Sequence, residues 1–592
     1  MATRPPAFPI VLAAFAIALA GAVQAADPNK VLRFAEVNIN GLDPHQISDG
    51  YSDTITSAIF EALYEWDYLS RPTKLVPLAA AAAPEITDQG KTWTVRVTPG
   101  IFFTDDPAFQ GKPRELVAQD FVYSIKRRMD PGLRLGGLPM VTDAIVDARR
   151  LIDAAGKAGG RFSYDAPMNG LRALDRYTIQ ILLTEANYAA METVLTIPAV
   201  AREVVEATNG SVDMRRVGTG PYRLKEWKRG SRLVLEANPK YRAISFPAST
   251  NPAHTALVRS MQGTALPQIG TVVVNFIDEE LPMLLEFERG KLDYVDFTTD
   301  VSNRLLASGK LLPEYSARGI RHYLIPRSLT SYLYFNVEDP VVGGLDKEHL
   351  ALRRALVLGF DTEELARVAY GGQAFPINQI ISPGVTGHDP TVPPRSLYDP
   401  SAAQALLDRF GYSKRDPQGY RLAPNGRALT LTLLTRPNND MRAAETLLKK
   451  NMDAIGVRIQ FRELTFQEMM KESDAGKYQL MYGLSYGGWP SGWVQLDQLY
   501  SKEQPTINRS RFRLAEYDKL YEQYLRTPDG EEQISLANKM SAIALSYAPM
   551  APAIVRYENV FAQPWLRGFY PSPFATYWKY LDIDLAQQEA KK

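Results

Sequence analysis

The sequence predicts an α/β protein of two or three domains, and three observations support this fold class. The chain has 592 residues, more than one hydrophobic core usually organises. Hydrophobic residues make up 45% and charged residues 22%, a composition typical of globular proteins. Strand and helix patterns alternate along residues 429–461, which indicates an α/β layer.

The first 25 residues are predicted to form a secretory signal peptide. Arg4 supplies a short positive region, and an uncharged apolar run covers 10–20. Val23 and Ala25 fit a small-residue cleavage site, so we expect cleavage after Ala25. The run is too short to cross a bilayer, which takes about 20 apolar residues. The alternative is a buried amino-terminal helix, which seldom carries this charge and cleavage pattern.

Two segments of the first half have distinct patterns. Residues 91–97 are predicted to be a strand that turns Trp93, Val95 and Val97 to one face. Residues 134–170 are rich in glycine and other small residues, and we expect a partly helical surface excursion there.

The second half carries the clearest elements. Asp399 can cap a helix over 400–410, and Pro400 suits the first position of that helix. Leucines and threonines alternate over 429–433, apolar residues recur at helical spacing over 441–455, and a second alternation covers 457–461. This strand–helix–strand order is what an α/β layer requires.

Cysteine is absent from the sequence, and the charge is balanced at 67 basic against 66 acidic residues. Disulfides, thiolate metal sites, cysteine nucleophiles and a lipid on an amino-terminal cysteine are therefore excluded. Nucleic-acid binding is not expected, because binders of that kind usually carry a basic excess. We expect a freely diffusing protein outside the cytoplasm, with no membrane span after the signal peptide.

One short motif resembles an enzyme signature. Residues 483–487, GLSYG, match the G-x-S-x-G elbow, in which Ser485 would be the nucleophile. That chemistry needs a histidine later in the chain, and all five histidines precede Ser485. The match is interpreted as accidental. The sequence also contains no H-E-x-x-H and no phosphate-binding loop motif, so no catalytic residue, metal site or cofactor is predicted.

An ordered set of segments resembles the extracytoplasmic solute-binding proteins of family 5, which serve ABC importers of oligopeptides, dipeptides, nickel and related solutes. The resemblance covers nearly the whole mature chain, and each motif is weak alone. It is carried by GLDPHQISDGYSDTITSAIFEALYEWD, TWTVRVTPGIFFTDD…VAQDFVYSIKRRMDP, GTGPYRLKEWKRGSRLVLEANPKY, FERGKLDYVDF, YLYFNVEDP…LALRRALVLGFD and YDPSAAQALLDRFGY.

The resemblance implies a bilobal periplasmic-binding-protein fold: two α/β lobes with a hinge and an additional inserted subdomain. The expected limits are 26–70, 205–326 and 554–592 for lobe I, 71–204 for the inserted subdomain and 327–553 for lobe II. Within GTGPYRLKEWKRGSRLVLEANPKY we expect a hairpin, with turn geometry supplied by Gly218, Gly220 and Gly230.

The same resemblance implies a solute bound between the lobes and enclosed by hinge closure. We expect the two crossings between lobes near Ile325–Tyr332 and Ala551–Tyr557. Such a site needs aromatic walls and a few polar anchors rather than a catalytic group.

The densest aromatic segment is YGLSYGGWPSGWVQLDQLY, from Tyr482 to Tyr500. Aromatic residues on a glycine-rich loop after a strand can stack on a ligand, although core packing explains them equally well. The candidate ligand contacts are Trp489, Trp493 and Tyr486 of this segment, Asn38 and Asn40 before the Leu-Asp-Pro turn, and Arg556 in the second crossing.

The loop over 488–492, which we call the aromatic loop, departs from the family pattern. Peptide-binding members carry a D-Y-x-D-P-like motif whose aspartate pairs with the ligand's ammonium group, whereas this chain reads Gly-Trp-Pro-Ser-Gly over 488–492. The next carboxylate is Asp497, and a buried ammonium without a partner is costly. A modified peptide, an antibiotic-like compound, a glycoside or another amphipathic solute becomes more credible than an ordinary peptide. A bare nickel ion is not expected, because the histidines are scattered.

The expected function is that of a periplasmic solute-binding component that delivers its solute to an inner-membrane ABC permease with its ATPase subunits. We expect a monomer without enzymatic activity. The alternative is a secreted enzyme or a chaperone-like protein on the same scaffold, because fold alone does not decide function.

Overall fold

The computed structural model describes residues 26–590, except for 48, 134–138, 158–159, 209, 214, 308, 573 and 575–576. The predicted signal peptide therefore lies outside the described residues. Strands and helices are interspersed along the described chain and alternate strictly from Thr430 to Gly487, as the α/β prediction requires.

The amino-terminal part begins the first lobe and leads into a separate small sheet. Its elements are β1 (Asp27–Glu36), α1 (Gly50–Ser57), β2 (Tyr64–Trp66), β3 (Leu75–Pro77), β4 (Glu85–Thr87), β5 (Thr92–Arg96), α2 (Ala118–Met129), α3 (Pro139–Ala144), α4 (Ala148–Ala155), β6 (Leu171–Ala173), β7 (Thr178–Leu182), α5 (Tyr188–Leu195) and α6 (Arg202–Ala207).

The chain then returns to the first lobe. Its elements are β8 (Tyr222–Lys228), β9 (Arg232–Ala237), α7 (Thr255–Met261), β10 (Ile269–Phe276), α8 (Glu280–Glu288), β11 (Tyr294–Phe297), α9 (Thr299–Ser302), β12 (Leu306–Ala307), β13 (Lys310–Leu311) and α10 (Pro313–Ala317).

The second lobe lies between two long strands, and a short tail follows. The elements are β14 (Arg321–Phe335), α11 (Lys347–Leu358), α12 (Thr362–Tyr370), β15 (Ala374–Pro376), α13 (Pro400–Arg409), β16 (Thr430–Thr435), α14 (Asn439–Ala454), β17 (Arg458–Glu463), α15 (Phe466–Asp474), β18 (Leu480–Gly487), α16 (Trp493–Leu496), α17 (Ala515–Arg526), α18 (Glu531–Tyr547), β19 (Met550–Ala562), β20 (Leu566–Arg567), β21 (Asp582–Ile583) and α19 (Leu585–Glu589).

Three sheets of four or more strands organise these elements. Lobe I is built on a four-stranded sheet of order β1-β10-β9-β8, and the small sheet of order β4-β5-β7-β6 belongs to the inserted subdomain. Lobe II is built on a larger sheet of order β11-β19-β14-β18-β16-β17, in which β15 also pairs with β19. Because β11 follows lobe I strands and β16–β18 belong to lobe II, this last sheet runs through both lobes.

The long strands β14 and β19 join the lobes. They pair antiparallel from Arg321 with Ala562 to Tyr334 with Met550. The register breaks between Pro326 and Thr330, where proline has no N–H to give to the ladder. The break falls within the first segment expected to cross between the lobes, and the second expected segment lies opposite it.

Local patterns predicted several elements correctly. The strand over 91–97 is β5, and Trp93, Val95 and Val97 are buried on one side of it. The helices expected over 400–410 and 441–455 are α13 and α14, which begin after the capping residues Asp399 and Asn438.

The segment 134–170 is partly helical, as predicted. Its helices α3 and α4 bury Val141, Ala144 and Leu151 in the subdomain core, so it is better packed than a surface excursion.

The glycines of the hairpin segment have two different roles. Gly230 has φ of 67° and turns the predicted hairpin between β8 and β9. Gly218 and Gly220 do not supply turn geometry, which corrects that expectation. A Cβ on Gly218 would lie 1.9 Å from the carbonyl oxygen of Ile59, and one on Gly220 would lie 2.6 Å from that of Ala58. These two glycines allow the backbone to approach the end of α1 closely.

Candidate functional site

Acidic side chains converge beside the crossing strands on the lobe I side. Glu36 ends β1, Asp296 lies in β11 and Glu558 lies in β19. Arg327 in the register break lies 3.6 Å from the Glu558 carboxylate, measured between Nη2 and Oε1. We call Glu36, Asp296 and Glu558 the acidic group.

Burial raises the pKa of every member of the acidic group. Burial raises the pKa of Glu36 to about 8, and the nearby Asp296 adds to the shift. Burial and the Asp296 charge raise the pKa of Glu558 to about 7, while Arg327 opposes them. Tyr51 lies close to the same charges and is 50% exposed, so it offers an open aromatic face beside the acids.

Basic side chains converge on the lobe II side of the same strands. Arg556 of β19 lies over the Tyr370 ring, with 4.9 Å between the guanidinium carbon and the ring centre. Its Nη1 is 3.7 Å from the Asp440 carboxylate, and Arg436 at the end of β16 lies near the same carboxylate. Asp300 of lobe I is close enough to raise the pKa of Asp440, although burial contributes more. We call Arg436 and Arg556 the basic pair.

The aromatic loop follows β18 and is held by its backbone. Gly487 pairs with Leu329 of β14, and a Cβ at this position would lie 2.3 Å from the Ser328 carbonyl oxygen. The Pro490 carbonyl oxygen accepts hydrogen bonds from the Thr386 backbone N–H at 3.0 Å and from its hydroxyl at 2.9 Å. The loop is thus anchored at both ends.

Gln495, which sequence reasoning missed, orients this loop from within the core. Its side chain is 1% exposed, and its Oε1 accepts from the Ser382 N–H at 2.9 Å. Its Nε2 donates to the Ser382 hydroxyl at 2.9 Å and to the Tyr486 carbonyl oxygen at 3.2 Å. No local pattern distinguishes this glutamine from the others in the chain.

The predicted aromatic residues have different surroundings. Trp489 is 37% exposed on the loop. Trp493 and Tyr486 are half-buried and pack against a core cluster of lobe II, and Trp493 also lies against Glu192 of α5. The structure therefore leaves Trp489 open to solvent and gives Trp493 and Tyr486 a packing role as well.

The predicted polar residues are divided between the lobes. Asn38 and Asn40 are exposed on the lobe I loop after β1, close in sequence to Glu36. Arg556 belongs to the basic pair.

Asp497, the first carboxylate after the aromatic loop, is only 4% exposed, and burial raises its pKa well above the ordinary value. It faces the core rather than solvent, so it does not replace the missing acidic anchor.

The inserted subdomain also meets the aromatic loop. Helix α5 packs against α17, and Arg526 forms a salt bridge with Glu185. Glu192 of α5 lies next to Ser491 and Trp493, and burial raises its pKa to about 8. The predicted limits of the subdomain gave no indication of this contact.

The sequence match to a hydrolase elbow has no catalytic geometry. Ser485 lies within β18, and its hydroxyl is 2.7 Å from that of Ser331. Within the described ranges, no group of three or more acidic or histidine side chains is arranged to hold a metal ion. No helix in that part of the chain is both long and apolar enough to span a membrane.

Comparison with known proteins gives consistent matches. The family model described as bacterial extracellular solute-binding proteins, family 5 Middle, matches residues 74–506. The di/tripeptide-binding protein 2 of Pseudomonas aeruginosa (strain UCBPP-PA14) is 21% identical over 555 residues, which cover 92% of each chain. The probable deoxycholate-binding periplasmic protein YgiS of Escherichia coli (strain K12) is 23% identical over 557 residues, covering 92% of this chain and 91% of that protein.

Solved structures match the fold over nearly the whole chain. The unliganded open form of the periplasmic murein tripeptide binding protein MppA has a TM-score of 0.70 and 21% identity, and the match covers 94% of this chain and 98% of that one. At this level of identity the match establishes the two-lobed α/β architecture.

Proposed function

The chain belongs to the bacterial extracellular solute-binding proteins of family 5, and from that premise we propose that it captures a peptide-like or other amphipathic solute between its lobes for an ABC importer. The observation that carries this proposal is the meeting of two charged regions at the crossing strands, the acidic group on the lobe I side and the basic pair on the lobe II side. The loop that carries the exposed Trp489 begins beside the same strands, where the Gly488 N–H donates to the Ser328 carbonyl oxygen at 3.0 Å.

The junction suits reversible binding better than catalysis. The acidic group and Arg556 are anchored on strands, whereas Trp489 lies on a loop that can adjust to a ligand. Closure of two lobes removes water from a bound solute, so aromatic contacts and charged hydrogen bonds both become stronger. Binding needs no nucleophile, and the hydroxyl of Ser485 is hydrogen-bonded to that of Ser331 at 2.7 Å.

We propose the following organisation and location. The chain is exported and cleaved after Ala25, and the mature protein acts in the periplasm with an inner-membrane permease and its ATPase subunits. Lobe I comprises 26–70, 205–326 and 554–592, the inserted subdomain 71–204 and lobe II 327–553. The protein works as a monomer without a cofactor.

The test uses protein purified from periplasmic extract under non-denaturing conditions. Native mass spectrometry is expected to detect a solute that is released on denaturation, and the solute should rebind to the emptied protein. Conversion of that solute by the purified protein would instead support a secreted enzyme. Binding to unfolded polypeptides in place of any small solute would support a chaperone-like role. Edman sequencing of the same sample should begin at Ala26.

A further inference from the structure

The inserted subdomain is fixed to lobe I by a buried ion pair. Arg127 of α2 donates from Nη1 to Oδ1 of Asp43 at 2.8 Å and from Nη2 to Oδ2 at 2.6 Å. Their side chains are 1% and 2% exposed. A bidentate pair of this kind holds one geometry, and breaking it in the interior is costly. The subdomain is therefore expected to move with lobe I whenever the lobes separate.

Helix α5 of the subdomain carries a contact to lobe II. It packs against α17, and Glu185 just before α5 pairs with Arg526 at the end of α17. Glu192, in the middle of α5, lies near Tyr524 of α17. Because α5 moves with lobe I and α17 belongs to lobe II, opening the lobes breaks this contact.

The Glu192 carboxyl also serves the aromatic loop of lobe II and the helix that follows it. The Ser491 side chain and the Trp493 indole form hydrogen bonds with this carboxyl, and both bonds oppose the rise in its pKa. An indole N–H can only donate, so it depends on an acceptor such as this carboxyl. Ser491 is 2% exposed, which leaves its hydroxyl little access to water. Both groups have Glu192 as a partner only while the lobes are closed.

The surroundings of Glu192 make the contact sensitive to pH. Burial raises its pKa to about 8, and the charge of Asp529, which follows α17, adds to the rise. Tyr524 stays neutral, because burial raises its pKa well above the ordinary value. In the open state Glu192 regains water and its ordinary pKa of 4.5. The contribution of this group to closure is therefore complete below that pH and is lost as pH rises towards the pKa of the closed state.

We propose that Glu192 is a positioning residue of the solute site, which holds Ser491 and Trp493 in place from the inserted subdomain only while the lobes are closed. This inference rests on the proposed solute-binding function and deepens it. It gives the subdomain a part in the closed site, because the aromatic loop lacks this support when the lobes are open.

The first test observes Trp493 directly. The chain contains seven tryptophans, so selective ¹⁵N labelling gives seven indole N–H signals in a nuclear magnetic resonance spectrum, and Trp493→Phe identifies the relevant one. That signal should move between pH 5 and pH 8 in the unmodified protein and stay in place in Glu192→Gln, which keeps an acceptor but cannot ionise. Glu206→Gln changes an exposed carboxylate on α6 and should leave the titration as it is.

The second test measures closure without a solute. Because the sequence has no cysteine, nitroxide labels can be placed through Asp153→Cys in the subdomain and Glu532→Cys in lobe II, both exposed positions. Electron paramagnetic resonance should show more of the shorter distance at pH 5 than at pH 8. At pH 5, Glu192→Ala should lower the ratio of closed to open molecules by about fivefold or more, as expected when a buried donor loses its acceptor.

Matched variants separate positioning from packing. Glu192→Gln should restore the closed fraction at pH 5 and maintain it at pH 8, whereas Glu206→Ala should change it at neither pH. The acidic group at the crossing strands also titrates in this range, so the variants are compared with the unmodified protein at each pH. Thermal unfolding confirms that each variant is folded.

Three results contradict the inference. They are a Trp493 signal that titrates equally with Glu192 and with Gln at this position, a closed fraction that Glu192→Ala leaves unchanged, and equal losses of closure in Glu192→Ala and Glu192→Gln. None of them affects the solute-binding function, which native mass spectrometry of the unmodified protein tests separately. A protein that closes as described but carries no solute contradicts that function and leaves the role of Glu192 in closure intact.

Discussion

Trp489 lies in the loop after β18 and Trp493 begins α16, and their surroundings predict different responses to truncation. Trp489 is 37% exposed, whereas Trp493 packs against the lobe II core. Trp489→Ala should weaken solute binding by about 1–3 kcal/mol, roughly tenfold to hundredfold in Kd, with little change in Tm. Trp493→Ala should lower Tm by several degrees as well.

Paired calorimetry and thermal unfolding of both variants check this prediction. If Kd is unchanged in both variants while Tm falls, the loop serves packing rather than recognition. Tyr398→Ala is a suitable control, because it truncates an aromatic side chain of similar exposure, 36%, in a segment outside the aromatic loop.

The buried carboxyl of Asp497 predicts a pH-dependent stability. Burial raises its pKa in the folded protein, so the folded state keeps a proton that the unfolded state releases above about pH 4. Folding stability contributed by the neutral carboxyl is complete below that pH and is lost as pH rises towards the folded pKa. Asp497→Asn should therefore raise the free energy of unfolding at pH 7 by at least about 1 kcal/mol and flatten its pH dependence.

Urea unfolding between pH 4 and pH 8 provides the measurement. The exposed Asp153 is the matched control, since Asp153→Asn should leave the pH profile as it is. An Asp497→Asn profile that parallels the unmodified one would mean that this carboxyl ionises in the folded protein.

At the scale of elements, the pairing of β18 with β14 depends on the glycine at the end of β18. Gly487 has φ of 130°, and a Cβ there would meet the Ser328 carbonyl oxygen at 2.3 Å. Gly487→Ala should separate β18 from β14 near the register break, lower Tm by several degrees and weaken solute binding.

The matched control is Gly426→Ala. Gly426 also has a positive φ, 81°, but a Cβ there would meet nothing within 4 Å, so the substitution measures conformational strain alone. Differential scanning calorimetry and a binding isotherm compare the two variants. Equal Tm losses with unchanged binding in both would exclude a special role for the contact at Ser328.

Elements were predictable where their determinants are local. Helices α13 and α14 follow from a capping residue and an apolar stripe within one segment, and the density of aromatics identified the loop after β18. The charged groups were not predictable in this way. Glu36, Asp296 and Glu558 belong to strands far apart in sequence, and only the pairing of β11 with β19 brings two of them together. The buried Gln495 and the contact of Glu192 with the aromatic loop likewise depend on tertiary packing.

At the scale of the whole molecule, the break in β14 predicts where motion occurs. The ladder between β14 and β19 is interrupted between Pro326 and Thr330, so rotation there disrupts few hydrogen bonds. Saturating solute should bring the lobes together and reduce the radius of gyration measured by small-angle X-ray scattering. A radius that is identical with and without solute, at a concentration where calorimetry shows full occupancy, contradicts closure about this point.

The sheet shared by both lobes also determines the order in which the chain can fold. Residues 294–297 of β11 pair with 559–562 of β19, and Lys30 forms a 2.5 Å salt bridge with Asp582. Lobe I therefore depends on contacts across more than 500 residues, whereas the elements between β14 and β19 are continuous in sequence. Contacts of such high sequence separation form late, because the loop they close is long. During synthesis, lobe II can collapse as a unit while lobe I waits for the last strands of the chain, and a truncation before β19 would leave lobe I permanently incomplete.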